Sequence, residues 1–216
     1  MIAYPQACGA LLVTGALAGC SSAAMANLGV TAPPGVEADP NAEHYVLGPS
    51  QASIEADVSA GASYTLRFAR QKGTLVVSPR RPEATSVDVI VDTNSAESSL
   101  GVVADIAKDQ FLHTAQFPVA RFTSSSLRKR PDGEYDLYGD LELCGTKKSL
   151  VVQATIAVDP CRIAVNSEFS IDRRIFGAVS DGSLDGIVSD TVVVRIQADV
   201  KRSSAPATCA AEDEDG

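Results

Sequence analysis

Four stretches of this 216-residue chain alternate apolar and polar side chains with a period of two. They span residues 135–143, 150–158, 163–171 and 191–201. Because successive side chains of a strand point to opposite faces, each stretch has one apolar and one polar face. This pattern is typical of antiparallel strands that pack one face on a core.

Weaker strand patterns and one change of period fill the rest of the domain. Residues 98–112 carry apolar side chains at helical spacing. About eight antiparallel strands can close into a barrel, which leaves no unpaired edge and holds side chains or one small ligand inside. We therefore predict an all-β fold with a minor helical insertion, as an eight-stranded antiparallel barrel. The weaker strands lie at residues 53–57, 64–68, 73–78, 87–91 and 121–127.

Composition argues against a nucleic-acid partner. Hydrophobic residues make up 45% and charged residues 21% of the chain, which is typical of a globular protein. The net charge is -9, and the acidic run at residues 212–215 supplies part of it. Because an acidic protein repels phosphate, binding to nucleic acid is disfavoured.

The N-terminus has the features of an export signal. Residues 9–19 form an uncharged, mostly apolar run of the length of a signal-peptide core. The run ends in LAGC at residues 17–20, which resembles the bacterial lipobox, and this resemblance implies that Cys20 is lipidated. No Lys or Arg precedes the run, although export signals normally carry one. The A-M-A sequence at residues 24–26 offers an alternative cleavage site that would give a secreted soluble protein.

These features predict four segments. Residues 1–19 are a lipoprotein signal peptide, and residues 20–43 form a flexible tether from lipidated Cys20. Residues 44–202 form the barrel domain, and residues 203–216 form a disordered acidic tail. We therefore expect an extracytoplasmic protein of the cell envelope, anchored in a membrane on the periplasmic side.

No motif in the sequence predicts catalysis. His44 and His113 are the two histidines, and neither has the spacing of a metal ligand. The sequence contains no G-x-S-x-G elbow and no phosphate-binding glycine loop. Asp88 lies on an outward face of its strand, where we expect water to solvate it. We therefore expect no catalytic residue, no metal site and no cofactor.

The cysteines allow one disulfide. Cys144 and Cys161 flank a strand of about nine residues at ~3.3 Å each, which separates them by roughly 30 Å. A disulfide needs Cα atoms within about 7 Å, so this pair is excluded. Cys161 and Cys209 can meet, because the last strand should end near Cys161. Whether they do so stays open on the sequence alone.

Four segments resemble the YceI-like family of bacterial extracytoplasmic proteins, over roughly residues 45–201. Their order and spacing make the resemblance fairly specific. Glu142 and Cys144 stand where the family motif has Thr and His, so no role of that His transfers to this chain. The segments are VDVIVDTNS at residues 87–95, FLHTAQFPVARFTS at 111–124, YGDLELCGTKK at 138–148 and FSIDRRIFG at 169–177.

The resemblance implies a lipocalin-like barrel that holds a long isoprenoid, quinone-like or similar lipid. It implies non-enzymatic binding, storage or transport of that lipid at the cell envelope. The sequence itself supports a cavity, since a chain with 5% aromatic residues fills a barrel poorly. Strand alternation predicts the inward, lipid-binding positions Leu66, Phe68, Val89, Val91, Phe122, Leu137, Leu141, Val152, Ile156, Val165, Phe169, Val194 and Ile196.

Two questions stay open at this point. Arg173, Arg174 and Phe176 lie at a barrel rim, where the arginines either hold a lipid headgroup or bind loop carbonyls. The protein itself has two alternatives to a lipid carrier. One is a secreted hydrolase-type enzyme with an unrecognised site, and the other is a structural or interaction barrel with a solid core.

Overall fold

The computed structural model describes residues 41–203 and Cys209, apart from Pro79 and Ser183. A single antiparallel sheet dominates this part of the chain. Its eleven strands, within the described residues, are β1 (Glu43–Leu47), β2 (Ala52–Ser59), β3 (Ser63–Phe68), β4 (Gln71–Val77), β5 (Ser86–Asp92), β6 (Ala96–Glu97), β7 (Val119–Lys129), β8 (Tyr135–Leu143), β9 (Thr146–Val158), β10 (Arg162–Asp172) and β11 (Thr191–Lys201).

The sheet curls into a barrel. Its strands pair in the order β1-β4-β5-β7-β8-β9-β10-β11-β2-β3-β6. Because β1 continues into β2 and β3 into β4, the two ends of this order belong to the same two bent strands. An antiparallel bridge between Tyr45 and Arg202 also joins β1 to the end of β11. The predicted all-β barrel is therefore confirmed, whereas the predicted number of eight strands is corrected to eleven.

Two bends account for most of the difference in strand number. Residues 48–51 separate β1 from β2, and residues 69–70 separate β3 from β4. The buried side-chain amide of Gln71 links the bends by donating to the carbonyl oxygens of Pro49 at 3.2 Å and Ala52 at 2.6 Å. Counting each bent pair once and leaving out the short β6 gives eight strands, the predicted number, although residues 64–68 and 73–78 were predicted as separate strands and β1 was not predicted.

The strand register places apolar side chains opposite each other on the inner face. Phe169 pairs with Val194 across β10 and β11, and Leu137 pairs with Val152 across β8 and β9. Oppositely charged side chains face each other on the outside, where Arg195 Nε lies 2.8 Å from Glu168 Oε2. Such cross-strand pairs stabilise a sheet and fix which face is inward.

The helical insertion consists of α1 (Gly101–Ile106) followed by a π-helical turn (Ala107–Phe111). Both lie within the segment that was predicted to be helical from its apolar spacing. Their buried side chains form one apolar cluster with residues of β2, β3 and β11 at one end of the barrel, here called the upper end. The buried members are Ala56, Leu66, Ala104, Ala107 and Val192. No helix in the described part of the chain is long and apolar enough to cross a bilayer.

Cys161 and Cys209 form a disulfide, with their Cα atoms 5.4 Å apart. Cys144 is free and buried, and its Sγ lies 3.5 Å from the carbonyl oxygen of Leu112. Burial raises the pKa of the Cys144 thiol to about 11. The thiol is therefore protonated near neutral pH, and a protonated thiol is a poor nucleophile.

Arg173 holds the loop at residues 177–190 in place at the upper end. It begins a 3₁₀ turn after β10, and only 3% of the residue is exposed. Its guanidinium also stacks over the ring of Phe111, with 5.0 Å between the Cζ atom and the ring centroid. Five hydrogen bonds run from it to the carbonyl oxygens of Ala178, Val188 and Ser189 and to the carboxylates of Asp185 and Asp190.

Asp185 adds a pH-dependent component to this network. The backbone N–H of Ser180, and then the Arg173 guanidinium, hold the pKa of the Asp185 carboxyl below its usual range. A carboxyl with a lowered folded-state pKa stabilises the fold above its unfolded-state pKa. This contribution is lost as the pH falls through the lowered pKa.

We predict that Arg173→Met lowers the free energy of unfolding by about 3–5 kcal/mol, because it leaves buried acceptors and a carboxylate without their partner. The adjacent Arg174→Met is the matched control. The Arg174 side chain is half exposed and makes one ion pair, at 3.6 Å to Asp190. A surface pair of this kind contributes about 0–1 kcal/mol. Urea unfolding measures both variants, and equal losses would contradict the structural role of Arg173.

Candidate functional site

The interior of the barrel is an apolar cavity of about 620 Å³. Every strand except β1 and β6 contributes at least two residues to its wall, and α1 and the 177–190 loop contribute others. Cavities of roughly 300–1,000 Å³ are the usual size of small-molecule sites. The barrel is therefore not filled by its own side chains.

All thirteen residues predicted to point inward lie in the wall of this cavity. Their alternation along the strands places them there, since their chain neighbours point to the outer face. They are Leu66, Phe68, Val89, Val91, Phe122, Leu137, Leu141, Val152, Ile156, Val165, Phe169, Val194 and Ile196. Whether they bind a lipid stays a prediction.

A buried apolar cluster lies at the lower end of the barrel, opposite α1. Tyr45, Ile163 and Val200 are at most 2% exposed and form one apolar cluster. The Tyr45 hydroxyl donates a hydrogen bond to Glu43 Oε2 at 2.9 Å. Burial, followed by this hydrogen bond, raises the pKa of the Tyr45 hydroxyl to about 12. The hydroxyl therefore stays uncharged at this end.

The helical insertion and the long loop line the upper end of the cavity, and sequence reasoning missed this role. The apolar spacing of residues 98–112 predicted a helix but not the surface that it covers. The loop residues at 184–188 have no strand period that would have marked them. The missed wall residues at this end include Val103, Ile106, Ala107, Phe111, Leu112, Leu184, Ile187 and Val188.

The three predicted rim residues have different environments. Arg173 lies in the cavity wall, but the loop takes up its hydrogen-bonding groups. Arg174 lies on the surface, and Phe176 is 1% exposed without forming part of the wall. Of the two roles considered for the arginines, the binding of loop carbonyls describes Arg173.

Polar groups are few in the wall, and two charged residues, among those described, border it: Arg173, and Arg121, whose side chain is 45% exposed on the outer face. Arg121 Nε lies 2.9 Å from Asp88 Oδ1. The expectation that water solvates Asp88 is wrong, because this ion pair leaves the Asp88 side chain 11% exposed. The hydrogen bond to Asp88 raises the pKa of the Arg121 guanidinium. Both cations of the wall are therefore already engaged by protein groups.

The described residues contain no group of three or more His, Cys, Asp or Glu side chains that could hold a metal ion. His113 Nε2 lies 3.0 Å from the carbonyl oxygen of Val179, which makes it part of the contact between the insertion and the loop. His44 lies in β1, where its carbonyl oxygen accepts the N–H of Ser203 at 2.9 Å. The two histidines thus take part in different contacts of the fold.

Two solved structures share this architecture. The chain superposes on Burkholderia cenocepacia BcnA with a TM-score of 0.65 and 19% identity, over 70% of this chain and 97% of that one. It superposes on a polyisoprenoid binding domain from Saccharophagus degradans, implicated in plant cell wall breakdown, with a TM-score of 0.58 and 17% identity. That match covers 74% of this chain and 98% of the other. At these identities the likeness is one of fold.

Sequence comparison gives the family. A UPF0312 protein of Shewanella denitrificans is 33% identical over 119 residues, which are 53% of this chain and 62% of that protein. The match thus spans less than two thirds of the relative. The model of the YceI-like domain covers residues 45–200, which include nine of the eleven strands in full, β1 from its third residue and all but the last residue of β11. The chain belongs to the YceI-like domain family.

Proposed function

We propose that this protein binds one long, uncharged, apolar lipid inside its barrel. The observation that carries the proposal is the cavity of about 620 Å³, whose wall is almost entirely Val, Leu, Ile, Ala and Phe. Burying each CH₂ group of a ligand there is worth about 0.8 kcal/mol. A chain of many carbons can thus bind tightly without specific polar contacts.

The state of the wall cations favours an uncharged ligand. Arg121 is paired with Asp88, and Arg173 is hydrogen-bonded to the loop. A phosphate buried in the cavity would have no unengaged cation among the described wall residues, and an uncompensated buried charge is costly. Ser78 offers a weaker polar contact, since its buried Oγ lies in the wall without a hydrogen-bond partner in the described structure. A hydroxyl or carbonyl at the end of a lipid suits such a group.

The isoprenoid class is proposed by likeness. The Saccharophagus degradans domain of the same fold is a polyisoprenoid binding domain. An isoprenoid alcohol or a quinone-like molecule combines a long branched apolar chain with an uncharged polar end. Storage or transport of such a molecule needs no catalytic group, and we propose a non-enzymatic carrier.

We further propose that the carrier works outside the cytoplasm, tethered to a membrane through lipidated Cys20. Cys20 lies outside the described residues, and the proposal rests on the LAGC sequence at residues 17–20. The Cys161–Cys209 disulfide supports the location, because disulfides persist mainly in oxidising compartments.

Val91→Phe is predicted to weaken binding of all-trans-retinol, a fluorescent isoprenoid alcohol, by about tenfold, because the added ring occupies cavity volume. The free energy of unfolding should change by no more than about 3 kcal/mol. Retinol titration and urea unfolding of each protein are the measurements.

The neighbouring Ile90→Phe is the matched control, because residue 90 lies on the outer face of the same strand β5 and not in the cavity wall. It should bind retinol with the affinity of the wild type. Equal weakening by both variants, or a wild-type protein that binds no retinol, would contradict binding inside the barrel.

Cys20→Ser is predicted to release the exported protein from the membrane fraction or to block its processing, because it removes the thiol that would be acylated. Stable anchoring requires more than one acyl chain or a second signal. Loss of the acylated cysteine should therefore be sufficient to release the protein from the membrane. Fractionation with mass analysis of the mature N-terminus is the measurement. A variant that is processed normally and stays with the membrane at the wild-type level would refute the anchor and leave the cavity proposal untouched.

A further inference from the structure

We propose that the lipid enters and leaves the cavity sideways, through a split in the barrel wall between β9 and β10. This inference rests on the proposed function, since it assigns the route by which the bound lipid exchanges. The split lies in the upper half of the two strands. Four features of the structure support it: the strand register, the contacts that bound it, its apolar inner face and the native contacts that opening either barrel end would break.

The ladder between β9 and β10 stops halfway. Residues 154–158 of β9 pair with residues 163–167 of β10. Beyond this point, residues 146–153 pair with β8, and residues 168–172 pair with β11. Within the fully described range 146–172, no backbone pairing joins these two upper halves. Strand β7 likewise pairs with β5 over only residues 119–123, but there the Val87 N–H donates to Ser124 Oγ at 2.7 Å and the 3₁₀ turn Pro82–Ala84 packs against β7. The unpaired halves of β9 and β10 therefore form a weak seam of the wall.

Side-chain contacts mark the two ends of the seam. At its lower end, Ser167 Oγ donates a hydrogen bond to the carbonyl oxygen of Gln153 at 2.6 Å. At its upper end the two walls approach each other again, because Thr146 Oγ1 lies beside Gly177. It is 3.8 Å from the position that a Cβ atom would take on this glycine. The split is therefore a bounded slot and not a general loss of structure.

Apolar side chains line the inner face of the slot, whereas the outer face is mostly polar. On the inside, Leu150 and Val152 of β9 and Phe169 and Ile171 of β10 form part of the cavity wall. On the outside, Val151 is 46% exposed on the β9 edge. A lipid chain in the slot thus contacts apolar side chains on the inside and Val151 on the outside, which limits its exposure to water.

An outer groove of about 360 Å³ lies beside the lower end of the slot. It shares Ala154, Ser167 and Ile196 with the cavity wall, so the same three residues border the cavity and the outside. The groove is otherwise polar, with Gln153 and Glu168 at its edge. The cavity and the groove thus share a stretch of wall next to the end of the ladder.

The two ends of the barrel are more costly routes. Opening the lower end would expose the cluster of Tyr45, Ile163 and Val200, whose members are almost fully buried. Opening the upper end would break the five hydrogen bonds of Arg173 to the loop. Parting the slot breaks no backbone pair between β9 and β10, because none is formed there. The slot is therefore the route with the smallest loss of native contacts.

A reversible metal clip tests the route. In Val151→His/Ser170→His the two imidazoles lie on the outer face at positions that would face each other if the ladder continued. Zn²⁺ bridging them should slow retinol uptake from, and release to, phosphatidylcholine vesicles by at least about tenfold, while the retinol Kd stays unchanged. EDTA should restore the wild-type rates. Stopped-flow fluorescence follows the transfer, and calorimetry establishes that Zn²⁺ is bound.

The matched control is Ala157→His/Ala164→His, on the same face of the same two strands where the ladder is already formed. Neither alanine lies in the cavity wall or the outer groove. This pair should bind Zn²⁺ without slowing retinol transfer. Equal slowing by both clips would overturn the lateral route, because the metal would then act by stiffening the barrel in general.

A second variant tests the slot without metal. Ser167→Ala removes the hydrogen bond that ends the ladder and should speed retinol release several-fold. Ser149→Ala removes a hydrogen bond from β9 to Asp140 of its other neighbour, β8, and should leave the rate unchanged. Unchanged rates in Ser167→Ala together with unchanged rates in the Zn²⁺-bound clip would overturn the lateral route and leave the proposed function standing. A wild-type protein that binds no retinol would overturn the proposed function and the slot with it.

Discussion

Pairing of apolar side chains across the inner face of the sheet is the interaction on which the rest of this structure depends. Val, Leu, Ile and Phe residues of neighbouring strands face each other there, as Phe169 and Val194 do. The same register sends Glu168 and Arg195 outward, where they form an ion pair. A shift of one residue in any strand would reverse both faces. The register therefore determines both which side chains form the cavity wall and which side chains face the solvent.

The size of these side chains then determines what the interior can do. A ring of long strands lined mainly by Val, Ala and Leu encloses more volume than its side chains fill, and about 620 Å³ remains. The buried cluster around Tyr45 packs at the lower end of this volume, and the insertion and the loop line its upper end. Arg173 is central to the upper closure, since its hydrogen bonds and its contact with Phe111 join the loop to the insertion. A buried cation thus has a structural role next to an apolar cavity.

The alternation of apolar and polar residues predicted those parts of the fold that depend on near neighbours along the chain. The inward positions of β8 to β11 follow from period-two alternation alone. The ends of the strands made a Cys161–Cys209 disulfide possible, and the structure shows that it forms. The bends beside β1 and β4 were missed because Gln71 stabilises them from across the sheet. The partners of Arg173 come from a loop that has no period. The seam between β9 and β10 cannot be seen in sequence, because each strand keeps its full pattern through its other neighbour.

Native mass spectrometry of the purified protein tests the central claim, that the barrel encloses one apolar lipid, most directly. We predict a protein peak whose mass exceeds that of the bare protein by one organic-soluble, uncharged lipid. Extraction with organic solvent should remove this added mass. The wild-type protein loaded with retinol serves as the control that a non-covalent ligand survives the measurement. A bare protein mass, both as purified and after incubation with retinol, would contradict the account and favour a barrel that carries no lipid.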